Sequence, residues 1–470
     1  MPLIWNGAFR GLADSKFSGV EGSFAECVGI DGNSTPGLLK VHQKLTLETT
    51  GTEPDELCKV AIAASNGYSF WFSSISGKIW ARNSSGTWSL ALTTTAAAGD
   101  VFCLGAIEYN GFIYWATQSR LHRIAIANAD DAWASEVLNW ATFAVTDASW
   151  HPMVIQDATL FIGDGNRVCS VNDQGTFDNN ALDIKTPYRI KTMITYELDV
   201  LIGTYVADTV NKTEVLKWDT VSPSWNTSDP IEEVGINAFI RDDNYIYAQA
   251  GRAGNIYFYN GEKLEPYKKI PGTWSKTAYG EVQPNSVSNF KGVPVFGLSN
   301  GSGNPAKQGV YSFGSYSRDY PKVLDLSWVI SQNDTDGVTI GAILVLDYDL
   351  LVAWSDGTTK GVDGIDYSNK YASAYFETMM LFQDERDVLK TLGEVKAMYN
   401  SLPASTGLTI SYSVNGAAYV EMTEYDDTIL AAIVAQLSVS NIGSLQIKCQ
   451  FNVASNNAPT LECLGVYQKE

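Results

Sequence analysis

Short strands rich in aromatic and branched residues recur through most of this chain, and this recurrence limits the fold more than any other feature. Seven hydrophobic segments return at intervals of ~40 to 50 residues, which is the spacing of four-stranded propeller blades. We interpret these segments as the inner strands of the blades. They span residues 68–72, 111–115, 159–163, 200–204, 244–248, 293–297 and 350–354.

Most of these segments are followed, ~8 to 15 residues later, by a second hydrophobic strand, so that each pair predicts the hairpin at the middle of a blade. The second strands span residues 78–81, 121–125, 168–171, 214–218, 255–259 and 309–313. Seven hairpins predict a propeller of six or seven blades, which must close or be capped because each blade needs a neighbour to cover it. Residues 38–46 are the candidate closing strand, although the pattern leaves open closure from the far end of the chain.

Composition and charge agree with an all-β protein and narrow its partners. The chain has 40 Gly, 13 Trp, 24 Tyr and 18 Phe residues and only 18% charged residues, which favours strands and turns over helices. Its net charge of −20 argues against a general nucleic-acid surface, because phosphate neutralisation needs clustered Lys and Arg. An acidic exterior keeps a large β protein soluble and would also repel DNA in transit.

The sequence shows no targeting or membrane signal. Its start lacks the basic region and apolar run of a secretory signal, and no stretch approaches ~18 uninterrupted apolar residues. We therefore expect a soluble chain made in the cytoplasm. The cysteines are scattered with no Cys-x-x-Cys pair, which predicts reduced and packed thiols, a disulfide between the last two being the alternative. They are Cys27, Cys58, Cys103, Cys169, Cys449 and Cys463.

A change in composition after residues 379–382 predicts a second domain. The charge run 383–387 is interpreted as a boundary loop, and strands with one buried face are predicted beyond it at 392–399, 408–414, 419–422 and 444–451. Asn415-Gly416 is typical of a hairpin turn. The predicted organisation is a lead-in arm over residues 1–50 with a possible blade-closing strand, a β-propeller over 51–382 and a C-terminal β-sandwich over 383–470.

The residues that could carry chemistry are few. The three histidines, His42, His122 and His151, do not stand at metal-ligand spacing, and no Gly-x-Ser-x-Gly elbow is present. Residues 297–303 are rich in glycine, but no Lys-Ser/Thr or helix pattern follows them, so they do not predict a phosphate loop. We assign no catalytic, cofactor-binding or metal-binding residue and expect the chain not to be an enzyme.

A Gly-Thr-aromatic triplet occurs at Gly86, Gly175 and Gly272. It resembles a turn that joins blade hairpins in sialidase-type propellers, where the turn is structural and lies away from the active site. A sialidase would also need an arginine cluster on its inner strands, and the inner strands predicted above contain no Arg, which argues against glycoside hydrolysis.

Two further alternatives remain open. Carboxylates two or three residues apart could hold calcium or could simply form hairpin turns. These pairs are Asp334 and Asp336, Asp347 and Asp349, and Asp363 and Asp366. Five tryptophans in turn-like surroundings could stack on sugar rings, although packing between blades or subunits is the favoured interpretation. They are Trp133, Trp140, Trp150, Trp225 and Trp274.

The first forty residues carry a resemblance to a known group of proteins. A turn at Arg10-Gly11-Leu12 and Asp14-Ser15 is followed by Gly22-Ser23-Phe24-Ala25, then Gly29-Ile30-Asp31, then Gly37-Leu38-Leu39-Lys40. This series resembles the lead-in of propeller-bearing structural proteins of tailed phages, although the Arg-Pro-Gly that often closes that pattern is absent. Near the other end, residues 402–416 read Leu-Pro-Ala-Ser-Thr-Gly-Leu-Thr-Ile-Ser-Tyr-Ser-Val-Asn-Gly, which is similar to the start of the β-sandwich that follows the propeller in phage tail proteins.

The resemblance implies a virion structural protein, similar to tail nozzle or tail-tube components that form a homo-oligomeric ring, a hexamer in the family, around the DNA channel. Its partners would be further copies of the chain, other tail and adaptor proteins and, transiently, translocating DNA. No cofactor is implied. The alternative function is a receptor- or glycan-binding propeller module of a tail spike or a bacterial surface protein. An apolar patch on the blade sides would favour the ring, and aromatic side chains clustered at one mouth of the propeller would favour glycan binding.

Overall fold

The structure is a computed structural model, and it describes most of the chain. The described residues are 3–5, 9–17, 19, 22–35, 37–93, 103–207, 210–243, 245–272, 279–300, 308–315, 322–332, 337–381, 390–425 and 432–468. Within these ranges the regular secondary structure is almost entirely β-strand, and the one helical element is a 3-10 turn at Ile126–Asn128. The strands of the lead-in segment are β1 (Leu3–Trp5), β2 (Gly11–Leu12), β3 (Ser23–Val28), β4 (Ile30–Asp31), β5 (Lys40–Val41) and β6 (Gln43–Leu47).

Seven four-stranded antiparallel blades follow within the described residues, and their first strands pack around a common axis. Six are separate sheets, and blade 6 continues into the C-terminal domain. Blade 1 contains β7 (Cys58–Ala63), β8 (Ser69–Ser73), β9 (Lys78–Arg82) and β10 (Trp88–Thr93), and blade 2 contains β11 (Gly105–Tyr109), β12 (Phe112–Ala116), β13 (Arg120–Ala125) and β14 (Val137–Thr142). Blade 3 contains β15 (Met153–Gln156), β16 (Thr159–Asp164), β17 (Arg167–Val171) and β18 (Phe177–Asp183). Blade 4 contains β19 (Arg189–Tyr196), β20 (Asp199–Tyr205), β21 (Thr213–Trp218) and β22 (Thr227–Ile231). Blade 5 contains β23 (Ile236–Asp242), β24 (Tyr245–Ala250), β25 (Asn255–Tyr259) and β26 (Leu264–Lys269). Blade 6 contains β27 (Gly280–Phe290), β28 (Val293–Asn300), β29 (Gly309–Gly314) and β30 (Val323–Trp328). Blade 7 contains β31 (Thr339–Leu346), β32 (Asp349–Ser355) and β33 (Lys360–Lys370), and its fourth strand is β6.

The predicted propeller is confirmed, but the assignment of the inner strands is wrong. The seven segments predicted to be innermost are the second strands of the blades, and the innermost strands are β7, β11, β15, β19, β23, β27 and β31. The physical reason is burial. A second strand is covered on both faces by adjacent blades, as in β8, where all five residues are buried, and such a strand reads as a continuous apolar run. An innermost strand lines the channel and therefore mixes polar with apolar residues.

The ring closes through the lead-in segment. β6 pairs antiparallel with β33, so that Leu45 lies opposite Ile365 and Leu47 opposite Asp363. It overlaps the candidate closing strand at residues 38–46. β31 in turn packs beside β7, which brings the last blade against the first. Because this strand comes from the start of the chain, blade 7 cannot form without contacts across more than three hundred residues.

Neighbouring blades fit together through a repeated glycine contact. Gly163, Gly203 and Gly297 lie in the second strands of blades 3, 4 and 6, and each faces an isoleucine near the start of the next innermost strand. A β-carbon built on Gly203 would lie 2.8 Å from the side chain of Ile236, which is fully buried. The absence of a side chain therefore allows the two sheets to approach each other closely.

We expect Gly297→Ala to destabilise the protein by about 1–3 kcal/mol, because the new methyl group overlaps the Cγ2 atom of Ile340. Ile340→Ala alone should also be destabilising, by about 2–5 kcal/mol, because it leaves a cavity. The double variant removes the overlapping atom and should lose less stability than the two single losses combined. Urea denaturation of the four proteins measures this coupling, and strict additivity would contradict the proposed contact.

The Gly-Thr-aromatic triplets close the outer hairpins of blades 1 and 3. The side-chain oxygen of Asn83 accepts hydrogen bonds from the backbone N–H groups of Ser85 (3.0 Å) and Thr87 (2.9 Å). Asn172 does the same for residues 174 and 176, at 3.1 and 2.8 Å. These turns are therefore structural elements at the blade edge. Of the third triplet, residues 273 and 274 lie outside the described residues.

The C-terminal domain is a two-layered β-sandwich, as predicted. It contains β34 (Tyr375–Thr378), β35 (Lys390–Tyr399), β36 (Gly407–Val414), β37 (Val420–Tyr425), β38 (Ala432–Ile442), β39 (Leu445–Asn452) and β40 (Leu461–Gln468). One layer has the order β1-β40-β35-β38, and the other has β3-β34-β39-β36-β37. The lead-in segment thus supplies one strand to each layer.

The second layer is continuous with blade 6. β3 pairs in parallel with β30 at Val28 and Leu326, and the N–H of Gly29 donates to the carbonyl of Leu326 at 2.8 Å. A single ten-stranded sheet, including β2, therefore runs from the propeller into the sandwich. β34 belongs to the sandwich although it precedes residue 382, and the predicted boundary loop at 383–387 lies outside the described residues.

All six cysteines are free. Five are buried, and Cys463 is half-buried. Cys449 lies in β39 and Cys463 in β40, which belong to opposite layers of the sandwich. The alternative of a disulfide between them is not realised.

Candidate functional site: the two ends of the propeller channel

Polar side chains from several blades converge at the end of the channel where the innermost strands begin, which we call the upper mouth. Lys59, Lys191, Asn237 and Glu281 each follow the first residue or two of their strand, in blades 1, 4, 5 and 6. The Lys191 ammonium forms an ion pair with Glu281 and donates a hydrogen bond to the Asn237 side-chain oxygen at 2.8 Å. This contact joins blades 4 and 6 across blade 5.

A second row of hydrogen bonds supports this ion pair. The amide of Asn237 donates to the side-chain oxygen of Gln249 at 2.7 Å and to the carbonyl of Gly251 at 2.5 Å. The same Gln249 oxygen accepts the N–H of Val282 at 3.3 Å. Burial opposes the charge on Glu281, but Lys191, helped by Arg252 and Lys59, more than offsets that effect, and the pKa of Glu281 is lowered. The upper mouth therefore holds a fixed negative charge next to a fixed positive one.

Lys59 is the exception in this group. Its ammonium forms neither a hydrogen bond nor an ion pair with any described residue and lies 5.4 Å from the centre of the Trp150 ring. Burial lowers the pKa of Lys59, and nearby Lys191 acts in the same direction while Glu281 opposes it. Lys59 and Trp150 line a cavity of about 210 Å³. A cation beside an aromatic face could contact a small polar ligand at this end of the channel.

We expect Lys191→Met to cost about 2 kcal/mol of stability, because it leaves the carboxylate of Glu281 largely buried without its main partner. Replacing both residues, as Lys191→Met with Glu281→Leu, should restore most of the loss. Thermal unfolding of the wild type and the two variants at neutral pH measures these changes. A double variant no more stable than Lys191→Met alone would contradict this account.

The opposite end of the propeller, which we call the lower face, carries the turns between the first and second strands of the blades. Acidic side chains occupy four of these turns, at Asp157, Glu197, Asp243 and Asp347, all exposed and with φ between +48° and +54°. The equivalent position in blade 6 is Lys291. The lower face is therefore mainly negative, which agrees with the net charge of −20.

The structure places the three histidines in separate packed positions. His122 stacks on Trp115 at 5.3 Å, and its ring accepts the N–H of Asn139 at 3.0 Å. His151 stacks on Phe143 at 4.1 Å, with both ring nitrogens facing backbone carbonyl oxygens. His42 packs against Trp328, with the ring centres 4.6 Å apart. No two of them share a site.

Most of the predicted surface tryptophans take part in packing. Trp133 is buried between Phe70 and Trp115, with ring centres 5.0 and 5.2 Å away. Trp140 packs edge-on to a tyrosine and carries the Arg123 guanidinium over its face at 4.4 Å. Trp225 packs against the core of blades 3 and 4. Trp150 alone of the described four lies at a channel mouth, and Trp274 lies outside the described residues.

The argument against a sialidase changes with the strand assignment. The true innermost strands contain two arginines, Arg189 in β19 and Arg241 in β23. Arg189 lies near the upper mouth and pairs with Asp147 at 2.8 Å, whereas Arg241 lies towards the lower face and donates to Thr195. Because they lie at opposite ends of the channel, they do not form the arginine cluster that a sialidase needs. The argument against a sialidase is therefore this separation, and no longer an absence of arginine from the innermost strands.

The predicted calcium pairs have mainly structural contacts. Asp363 is fully buried and accepts hydrogen bonds from Ser331 (2.7 Å) and from the indole N–H of Trp354 (2.8 Å). Asp366 accepts from Asn369 and pairs with Lys44. Over the described parts of the chain no group of three or more His, Cys, Asp or Glu residues could hold a metal ion. Asp334 and Asp336 lie outside the described residues.

Within the described ranges we find no helix with the length and apolar character that a membrane crossing requires. The residues of the upper mouth were missed by sequence reasoning, since they lie in strands that mix polar with apolar residues and belong to no motif. The one usable signal is positional: each stands near the start of the first strand of its blade. That signal appears only once the innermost strands are correctly assigned.

Comparison with known proteins finds likenesses to solved structures at low sequence identity. No family model matches it, and no curated protein matches it. Among solved structures it is similar to a streptogramin B lyase, with a TM-score of 0.46 and 10% identity over 68% of this chain and 97% of that one. It is also similar to the extracellular domain of a hybrid two-component system, BT4673, from B. thetaiotaomicron, with a TM-score of 0.46 and 11% identity over 75% of this chain and 42% of that one. A third is the WD40 domain of Neurospora crassa Pan2, with a TM-score of 0.40 and 9% identity over 69% and 89% of the two chains. At these identities the likeness concerns the β-propeller and says nothing about what this chain binds.

Proposed function

We propose that this chain is a structural subunit of a tailed-phage particle, a tail nozzle or tail-tube component that forms a homo-oligomeric ring around the DNA channel. The observation that carries the proposal is the lead-in segment, which builds strands into both layers of the sandwich and closes the propeller. The resulting ten-stranded sheet joins the two domains without a linker. A rigid two-domain body suits a load-bearing subunit better than it suits a protein that must open around a substrate.

Charge supports the same proposal. The lower face and the chain as a whole are acidic, and an acidic wall lets DNA pass without adhering to it. In this role the chain performs no catalysis and needs no cofactor. Its partners are further copies of itself, six in a ring by the family resemblance, together with neighbouring tail and adaptor proteins. It is made in the host cytoplasm and ends in the tail of the virion.

The test is the copy number of the chain in sedimentable particles purified from its source, measured by quantitative mass spectrometry against the most abundant subunit. A low fixed number, a few copies per particle, is the expected result. Absence from particles would overturn the proposal. Negative-stain imaging of the purified chain, alone and with particle extracts, then shows whether a ring forms.

A second candidate is the receptor- or glycan-binding module, and it is favoured by Trp150 and by the ammonium of Lys59, which has no partner among the described residues, at the upper mouth. An aromatic ring beside a cation is one element of a sugar site. The other described tryptophans do not gather there, so the cluster expected of a lectin mouth is incomplete. Glycan-array binding by the free protein, lost in Trp150→Ala, is the result that would favour this candidate.

A further inference from the structure

A cavity of about 480 Å³ lies on the side of the molecule, between the lead-in segment and blades 6 and 7. It adjoins the lower face at the turn that carries Lys291, and its volume falls within the ~300–1,000 Å³ typical of small-molecule sites. Aromatic rings form its walls. Phe290 and Trp328 come from blade 6, Tyr367 from blade 7 and His42 from the lead-in segment.

The cavity is locally basic in an acidic protein. Lys291 and Lys370 line it, and Asp31 is the carboxylate among its described lining residues. Burial lowers the pKa of Lys370, and the nearby charges of Lys40 and Lys291 lower it further, with Asp31 opposing them. The ammonium of Lys291 is exposed and forms no hydrogen bond or ion pair with a described residue. It lies 4.9 Å from the ring centre of Phe290 and 5.7 Å from that of Tyr367.

Several polar atoms at the cavity have no partner among the described residues. Trp328 is only 6% exposed, and its indole N–H is buried without an acceptor. The side-chain oxygen of Asn33 is buried without a donor. The imidazole of His42 packs on Trp328 at 4.6 Å and makes no hydrogen bond through its ring nitrogens. Buried polar groups are normally paired, so these atoms indicate a site that is completed by something else.

We infer that this cavity binds a sugar unit that carries a carboxylate. Lys291 and the indole N–H of Trp328 supply donors for the carboxylate, and a charge-assisted hydrogen bond is stronger than a neutral one. Asp31 and the oxygen of Asn33 accept hydrogen bonds from sugar hydroxyl groups. The aromatic walls offer flat surfaces for the C–H faces of the ring.

The experiment is titration of the full chain with glucuronate, galacturonate and N-acetylneuraminate, followed by calorimetry and by tryptophan fluorescence. At least one of the three is expected to bind, with an affinity that falls as salt is raised. Lys291→Ala removes an exposed side chain that forms no hydrogen bond or ion pair with a described residue, and it should weaken binding about tenfold. Trp328→Phe keeps an aromatic ring in the core but removes the donor, and it should weaken binding by a similar factor.

The matched control is Lys263→Ala, an exposed lysine at an outer turn of blade 5, and its affinity should equal that of the wild type. Circular dichroism in the aromatic region shows whether each variant is folded. Glucose tests the sugar ring without a carboxylate, inorganic phosphate tests negative charge without a ring, and benzoate tests a carboxylate on a flat aromatic ring. Each should bind more weakly than the sugar acid with the highest affinity. Binding by none of the three acids, equal binding by phosphate or benzoate, or an affinity unaffected by Lys291→Ala would each overturn the inference. The inference does not depend on the structural role proposed above, since binding is measured on the free chain.

Discussion

Leu45→Asp is expected to cost more than about 4 kcal/mol and to prevent stable folding, which is the largest effect we predict for a single substitution. Leu45 is 4% exposed and lies in the closing strand β6, where it packs into the core that blades 6 and 7 share. Because β6 also closes the ring between the first and last blades, its loss should weaken the whole propeller and not one blade alone.

The neighbouring residue supplies the control. Thr46 points to the opposite side of the same strand and is exposed, so Thr46→Asp should change stability by no more than about 0.5 kcal/mol. The milder Leu45→Ala should fold and lose about 2–5 kcal/mol. Urea denaturation measures the loss, and hydrogen exchange in β33 reports whether the closing strand detaches first. An unchanged midpoint for Leu45→Ala would show that closure does not depend on this contact.

The architecture could be predicted from the sequence because it depends on short-range sequence patterns. Hairpins at regular spacing, Asn415-Gly416 with φ values of +52° and +76°, and alternating strands after residue 390 are all signals within ten residues or so. The assignment of the innermost strands failed for a related reason. The most apolar segments were taken to be innermost, whereas burial is greatest for the second strand, which has blades on both faces.

The sites could not be predicted because their residues meet only in three dimensions. Lys191 and Glu281 are ninety residues apart and belong to blades 4 and 6, and His42 and Lys291 come together only after the lead-in segment has crossed to the end of the propeller. None of these residues lies in a motif. The same is true of Asp325, which the structure places in the core.

Asp325 should make the stability of the protein depend strongly on pH. It is 1% exposed in β30, where the hydroxyl groups of Ser312 and Ser327 donate to its carboxylate. Burial, helped by the nearby charge of Asp31 and opposed by the two serine hydroxyl groups, raises the pKa of Asp325 to about 7. A carboxyl group whose pKa is higher in the folded state binds its proton more tightly there. Its contribution is therefore most favourable at low pH and declines as the pH rises from about 4 to about 7.

Asp325→Asn should remove the loss of stability that the wild type shows as the pH rises. Since each pKa unit is worth about 1.4 kcal/mol, the variant should be more stable than the wild type at pH 8 by up to about 4 kcal/mol and close to it at pH 4. Asp366→Asn is the control of opposite sign, because hydrogen bonds from Asn369 and Ser368 together with Lys44 outweigh burial and lower the pKa of Asp366. That variant should lose stability at pH 8. Thermal unfolding at pH 4, 6 and 8 measures both, and an Asp325→Asn protein that is less stable than the wild type at pH 8 would show that the serine hydroxyl groups require the carboxylate. On the predicted outcome, the contact between blade 6 and the sandwich is most stable with Asp325 protonated and is weaker at alkaline pH.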